Sequence, residues 1–279
     1  MKPSISSNYL QNLTPYEMAE SYCRWGFYQT ELSTQHTNYF LEGGGDAAAF
    51  RRYIDELGFS LPQGHLIFGP KGDITSADNS VTVAYLKRNL DLFLTLGIKA
   101  AVIHYSSHGT DLDPIEEWFD QRVEALNELC DYLKGTDLVL CVENLSRIHD
   151  HDAAHLLSLC RAVDNQENIG ICLDTGHLHI AGGDPYTFTK QAGPYLKAVH
   201  VHDNRGEIMN KNGKYCDDWH IMPFAGGTLD WARVRDGLRE TNYAGLFSYE
   251  LTDIRDLPME IRRLQARYLL EVYNTYFAF

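Results

Sequence analysis

A chain of 279 residues, 44% hydrophobic and 22% charged, has an ordinary globular composition and the length that α/β barrels commonly use for one domain. Its net charge of −14 gives no basic footprint for gripping phosphate backbones, which argues against a nucleic-acid partner. The six cysteines, at 23, 130, 141, 160, 172 and 216, show no Cys-x-x-Cys spacing, the pattern of reduced buried thiols. No window approaches the ~18 apolar residues of a membrane helix. The first ten residues carry no basic-then-apolar signal, so a cytoplasmic location is the expectation.

Taken in order, Pro3–Ser7 reads as a short strand. Thr14 caps a helix over Pro15–Trp25, with Glu17 completing a capping box and proline at the first position. Phe27–Leu32 is a strand with Glu31 near its end. Asp46–Leu57 is a helix stopped by Gly58, and Phe59–Phe68 is extended and carries His65. Ser80–Leu96 is a long amphipathic helix stopped by Gly97. Ile98–Tyr105 is a strand bearing His104, Pro114–Lys134 a helix and Leu138–Asn144 a strand. A helix over Asp152–Val163 precedes a strand over Asn168–Thr175, and a weaker helix over Tyr186–Tyr195 is interrupted by Gly193-Pro194. The chain then closes with a strand (Leu196–His202), a helix (Leu229–Thr241), a strand (Gly245–Leu251) and a helix (Ile254–Tyr276).

Strand then helix, about eight times at ~30 residues, implies a parallel sheet. At this length it predicts a closed (β/α)₈ TIM barrel, a single domain over 1–279. No Gly-x-Gly-x-x-Gly follows the first strand, and Gly43-Gly44-Gly45 lacks phosphate-loop spacing and reads as a turn. Catalytic residues of such barrels sit at the C-terminal ends of strands. His65, His104, Glu143, Asp174, His200 and Glu250 are therefore expected at one mouth. The residues two before them (Gln63, Val102, Cys141, Cys172, Ala198 and Ser248) share their inward face and are mostly small or apolar, as a narrow interior needs.

Each of these residues alone has a plainer explanation. Glu143 and Glu250 could be salt-bridged, Asp174 could cap a turn, and His200 could be a packed core histidine. Together, Glu143, Asp174, His200 and Glu250 form an oxygen-rich site for one divalent ion, Mn²⁺, Mg²⁺, Co²⁺ or Zn²⁺. His202 faces the same way as His200 and is assigned to packing or support. Trp231 is assigned to helix packing on the barrel, and His36, His108, His149, His151, His155 and His179 are assigned to solvent. Asp218-Trp219-His220 lies on a loop followed by Pro223 and Gly226-Gly227, and could be only a capped turn.

These residues resemble the xylose isomerase-like barrel superfamily of sugar and sugar-phosphate isomerases and epimerases, inosose dehydratases and type IV apurinic endonucleases. The carriers are Glu143-Asn144-Leu145, Leu173-Asp174-Thr175-Gly176-His177, His200-Val201-His202-Asp203-Asn204, Asp218-x-His220 and Glu250, with His65 and His104 extending the match. The resemblance to ketose epimerases implies that Glu143, Asp174, His200 and Glu250 bind the metal and that His177 bonds the sugar. The resemblance to the endonucleases implies up to three Zn²⁺ on His65, His104, Glu143, Asp174, His177, His200, Asp218, His220 and Glu250. In the single-metal reading the additional histidines and Asp218, with Arg205 nearby, bind substrate.

The expected activity is a metal-dependent sugar or sugar-phosphate isomerase or epimerase. The metal polarises a carbonyl and an adjacent hydroxyl while Glu143 and Glu250 exchange the proton through an enediolate. The alternatives are a trinuclear zinc phosphodiesterase, against which the −14 charge weighs, and an inosose-type dehydratase that begins with the same proton abstraction. Arg147, Arg205, Lys211 and Lys214 could hold at most one phosphate. The expected partner is a small-molecule sugar, with homo-oligomerisation left open.

Overall fold

The computed structural model describes residues 1–106, 118–206, 218–251 and 256–279. Eight strands carry the fold: β1 (Lys2–Ile5), β2 (Gln29–Leu32), β3 (Ser60–His65), β4 (Ala100–His104), β5 (Val139–Glu143), β6 (Ile169–Asp174), β7 (Leu196–Val201) and β8 (Leu246–Tyr249). Their seven ladders are all parallel, in the order β1-β8-β7-β6-β5-β4-β3-β2. Between them run α1 (Pro15–Trp25), α2 (Thr34–Leu41), α3 (Ala47–Leu57), α4 (Ser80–Leu96), α5 (Phe119–Tyr132), α6 (Ala154–Ala162), α7 (Thr175–Ile180), α8 (Pro185–Ala192) and α9 (Trp231–Glu240), with α10 (Met259–Val272) closing the chain. This is a single-domain TIM barrel, nearly closed. β1 and β2 stand at the two ends of the ladder order and are joined by side chains: Thr30 Oγ1 donates to the Ile5 carbonyl (2.5 Å) and Gln29 Nε2 to the Pro3 carbonyl (2.9 Å).

Local chemistry sets the element ends. Glu17 Oε2 accepts from the Thr14 N–H (2.9 Å) while the Glu17 N–H donates to Thr14 Oγ1 (3.3 Å), the reciprocal capping box expected from the sequence. Gly58 and Gly97 end α3 and α4 at φ of 71° and 75°, a conformation that costs glycine nothing. The core divides in two. Leucine, isoleucine, valine and aromatic side chains fill the space between sheet and helices. Ala100, Val102, Cys141, Cys172 and Ala198 form a separate small cluster. Register places Val102 beside Cys141 and Cys172 beside Ala198, so these are the barrel interior beneath the mouth, as strand alternation predicts.

Two helices were not expected. Thr34–Leu41 reads as loop because its sequence, Thr-Gln-His-Thr-Asn-Tyr-Phe-Leu, is polar and rich in β-branched and aromatic residues, yet it packs Phe40 and His36 inward. Thr175–Ile180 is a helix that begins at the end of β6, where the sequence shows only a turn. The final helix starts at Met259, later than Ile254, and passes into a π-helical turn over Tyr273–Phe277. The start of the helix expected from Pro114, and Ile254, His108, Lys211, Lys214 and Cys216, lie outside the described residues.

Candidate active site

Parallel register brings the strand ends together. His104 pairs with Glu143 across β4 and β5, and Asp174 with His200 across β6 and β7. His200 is level with Ser248, which sets Glu250 two residues further up β8, toward the mouth. Glu143 becomes the hub. Its Oε2 lies 3.3 Å from His65 Nε2 and 3.1 Å from His104 Nε2. Its Oε1 lies 3.0 Å from His200 Nδ1 and 3.6 Å from His177 Nδ1. His200 Nδ1 also faces Glu250 Oε2 (3.4 Å) and Asp174 Oδ2 (3.8 Å).

The donor atoms fall into adjoining groups, each within 4.8 Å: His65, His104 and Glu143; Glu143, Asp174, His200 and Glu250; and His177, His202, Asp218 and His220. Asp174 serves two purposes that sequence reading set against each other. Its Oδ1 caps α7 by accepting from the His177 N–H (2.7 Å), and the same carboxylate lies in the second group. The third group is held by the loop beyond β7. Asn204 Nδ2 donates to Asp218 Oδ1 (2.9 Å), and Asp203 accepts from the Leu229 N–H (3.0 Å) and Trp231 Nε1 (3.1 Å). His220 has a positive φ of 42°, a strained conformation of a kind that clusters at functional sites. Arg205 is placed differently: it is exposed, with its guanidinium 5.2 Å from the Trp219 ring centre, and does not line the cavity.

The inner nitrogens are set by what the outer ones do. His65 Nδ1 donates to the Leu66 carbonyl (2.7 Å), His177 Nδ1 to the Asn144 carbonyl (3.1 Å) and His220 Nδ1 to the Glu250 carbonyl (3.0 Å). His200 Nε2 is 2.8 Å from Glu31 Oε2. Each ring therefore turns its second nitrogen toward carboxylates. Such a nitrogen bonds a carboxylate only after taking a second proton, or else shares a cation with it. Burial opposes that protonation, but Asp174 and Asp218 raise His177 well above the usual histidine range. His200 is likewise raised against burial by Cys172, Glu31 and Glu143, and His220 is raised to about 9 by its bond to Asp218. Burial opposes the ionised form of Glu143 too, yet His200 and His104 hold it well below the usual carboxylate range. A buried set of oriented imidazoles around shared carboxylates fits a divalent metal, with carbonyls and Glu31 as the outer partners that metal-bound histidines need.

A fourth group, His149, Asp150 and His155, does not fit a cation. The Tyr105 hydroxyl donates to Asp150 Oδ2 (2.7 Å), and the Arg122 and Arg147 guanidiniums lie 5.2 and 5.7 Å from the Tyr105 ring. Burial, His149 and these arginines press His155 down to about 3. The solvent assignment of the remaining histidines is also corrected. His36 and His155 are buried, and His149 and His179 half-buried, because each meets a partner distant in sequence: His36 bonds Ser7 and the Leu13 carbonyl, His155 and His149 meet Tyr105, and His179 meets Thr228; His151 is exposed.

Over the donor groups lies a cavity of about 210 Å³. Its lining combines Ser6, Asn8, Ser33, Thr34 and Gln35 with Phe68, His177, Asp218 and His220, and with Glu31, His65, His104, Glu143 and Glu250. Phe68 stacks on His104 at 5.1 Å and 26°. Sequence reading missed Glu31, which ends a strand as the others do, and the Asn144 amide, which bonds both backbone groups of Asp174.

Fold and site together define a barrel with adjoining groups of candidate metal ligands at its mouth. The chain belongs to the xylose isomerase-like TIM barrel family, whose model matches residues 24–272. It is 24% identical over 238 residues to the D-psicose 3-epimerase of Agrobacterium fabrum, covering 81% of this chain and 75% of that one. It is 27% identical over 189 residues to a probable endonuclease 4 of Oceanobacillus iheyensis, covering 63% and 57%. Its match to protein y4fM of Sinorhizobium fredii spans about half that protein, 52%. Among solved structures, the IOLI protein with a bound zinc atom is similar at a TM-score of 0.80, with 18% identity and full coverage of both chains. Among the described residues no helix is long and apolar enough to cross a membrane.

Proposed function

We propose that this protein is a metal-dependent isomerase or epimerase of a small sugar or sugar phosphate, with Glu143 and Glu250 as the proton-transfer pair. The observation that carries this reading is the meeting of carboxylates from β5 and the end of β8, with Asp174 and His200, at a cavity of about 210 Å³. That is roughly seven water volumes, the scale of a small polyol. The name of the Agrobacterium relative, a D-psicose 3-epimerase, points the same way.

Glu143, Asp174, His200 and Glu250 would hold one divalent ion, which when bound supplies Lewis acidity to a carbonyl and its neighbouring hydroxyl. Glu143 is ionised at neutral pH, held so against burial by His200 and His104, and is therefore free to take up a proton. Glu250 is more open to the cavity and faces the substrate from another stave. A proton taken by one carboxylate and returned by the other inverts a carbon; one carboxylate doing both shifts a carbonyl along the chain. His177 Nε2, Asp218 and His220 offer hydrogen bonds to hydroxyls, and Phe68 gives a flat wall for the sugar's C–H face.

The test is proton exchange. Wild-type protein loaded with Mn²⁺ or Co²⁺ is incubated with free ketoses in D₂O and followed by NMR. Deuterium should enter beside the carbonyl, and Glu143→Gln should slow it by about 10²–10⁴-fold. No exchange with any ketose or ketose phosphate would remove the reading. The adjoining third donor group favours a second reading, phosphodiester hydrolysis on a trinuclear zinc site. Three zinc ions per chain with cleavage of an aryl phosphodiester would support it, and about one ion per chain the first.

A further inference from the structure

We infer that Glu31 is a positioning residue that orients the His200 ring, fixing which of its nitrogens faces the donor cluster, and so tunes the metal site from across the barrel. This rests on the reading of His200 as a metal ligand. Glu31 lies on β2 and is 1% exposed, a costly place for a carboxylate. Among the described residues its side-chain partners are His200 Nε2, at 2.8 Å, and Gln63 Nε2, which donates to the same oxygen. Gln63 is its neighbour in the β2–β3 register, so that second bond is fixed by the sheet. No lysine or arginine pairs with Glu31 among the described residues, which leaves the imidazole as its one ionisable partner.

His200 has one nitrogen for each side of this arrangement. Nε2 points to Glu31, and Nδ1 points to Glu143, Glu250 and Asp174 at 3.0, 3.4 and 3.8 Å. A carboxylate only accepts, so the Nε2 proton is the one Glu31 holds, and the Nδ1 lone pair is left for a cation. With Glu31 removed, no carboxylate holds the proton on Nε2. It is then free to move to Nδ1, where three carboxylates accept it and a cation is repelled. The carboxylate also pushes electron density through the ring and makes Nδ1 a stronger donor. His65, His177 and His220 use backbone carbonyls for this purpose, so the anionic partner distinguishes His200.

The test uses full-length protein stripped with a chelator and titrated calorimetrically with Co²⁺ or Mn²⁺. Glu31→Ala should bind about 10–100-fold more weakly. Glu31→Gln keeps a neutral acceptor and should fall between Ala and wild type. The Co²⁺ absorption bands should move in both variants, a change that a purely structural role would not produce. If Glu31→Ala fails to fold, Glu31→Gln decides. Wild-type affinity together with unshifted Co²⁺ bands in the folded variant would overturn the inference. Absence of binding by wild-type protein would instead overturn the metal site itself, which separates the two failures.

Discussion

Asn144 offers a measure of how the site is built before any metal enters. It is fully buried just past the end of β5, where its Nδ2 donates to the Asp174 carbonyl at 2.9 Å and its Oδ1 accepts from the Asp174 N–H at 2.7 Å. The side-chain amide thus adds a rung where the backbone ladder stops. Asn144→Ala removes both bonds; the Asp174 carbonyl, as N-cap of α7, keeps the first bond of that helix, so the buried Asp174 N–H is the group left stranded. One stranded buried N–H costs about 1–3 kcal/mol, so the loss should be about 2 kcal/mol. For a chain of this size ~1 kcal/mol moves the midpoint by ~2–4 °C, which gives a fall of about 4–8 °C. Calorimetry or circular dichroism on chelator-stripped protein reads this without contribution from a metal. A drop below about 0.5 kcal/mol, the scale of a surface substitution, would refute the role given to the amide.

Loading with metal should release protons, because imidazoles held as cations must lose a proton to become ligands. Titration heats should therefore differ between buffers of different ionisation enthalpy, and affinity should fall as pH drops, because His200, against burial, is raised well above the usual histidine range by Cys172, Glu31 and Glu143; equal heats would count against it. Gly176→Ala places a Cβ 2.0 Å from His202 Cε1, on a ring whose Nε2 is 2.9 Å from Asp174 Oδ1, so both midpoint and metal affinity should fall. An unchanged affinity in that variant would show that His202 does not steady Asp174. His36 bears on acid stability, since burial lowers its pKa to about 4 against the weaker opposing effect of its bond to the Leu13 carbonyl. A base depressed in the fold is neutral there, so the unfolded chain takes up the proton first, below 6.5. Stability is full above 6.5 and falls by about 3 kcal/mol toward pH 4. Urea midpoints across that range should show the slope, and His36→Asn should flatten it.

Most of the barrel is legible in the sequence because strands buried on both faces are near-continuous apolar runs and helix ends carry strong punctuation, as at Thr14, Gly58 and Gly97. The convergence of His65, His104, Glu143, Asp174, His200 and Glu250 follows from one rule, that staves of a parallel barrel end on one rim. What stays hidden depends on contacts made far along the chain. Thr34–Leu41 is helical through tertiary packing against its own propensity. His36 and His155 look like loop or helix-start histidines and are buried by neighbours no local pattern names. Glu31 is 169 positions from His200, so its partner is invisible until the barrel closes. Arg205 fails for the opposite reason: proximity in sequence to His200 and His202 says nothing of a side chain that turns outward to stack on Trp219.

The seam between β1 and β2 gives the barrel a joint. Seven neighbouring pairs of staves are locked by backbone ladders, while this pair leans together through Thr30 and Gln29, bonds worth about 1 kcal/mol each. Ser6 and Asn8 follow one stave and Ser33, Thr34 and Gln35 the other, so this part of the cavity lining hangs on both sides of the loosest hoop in the cask. The Ser7 hydroxyl, which accepts from the Ser33 N–H at 2.8 Å, is a further side-chain tie there, so this edge of the vestibule is held by side chains where the staves that carry the donors are held by backbone.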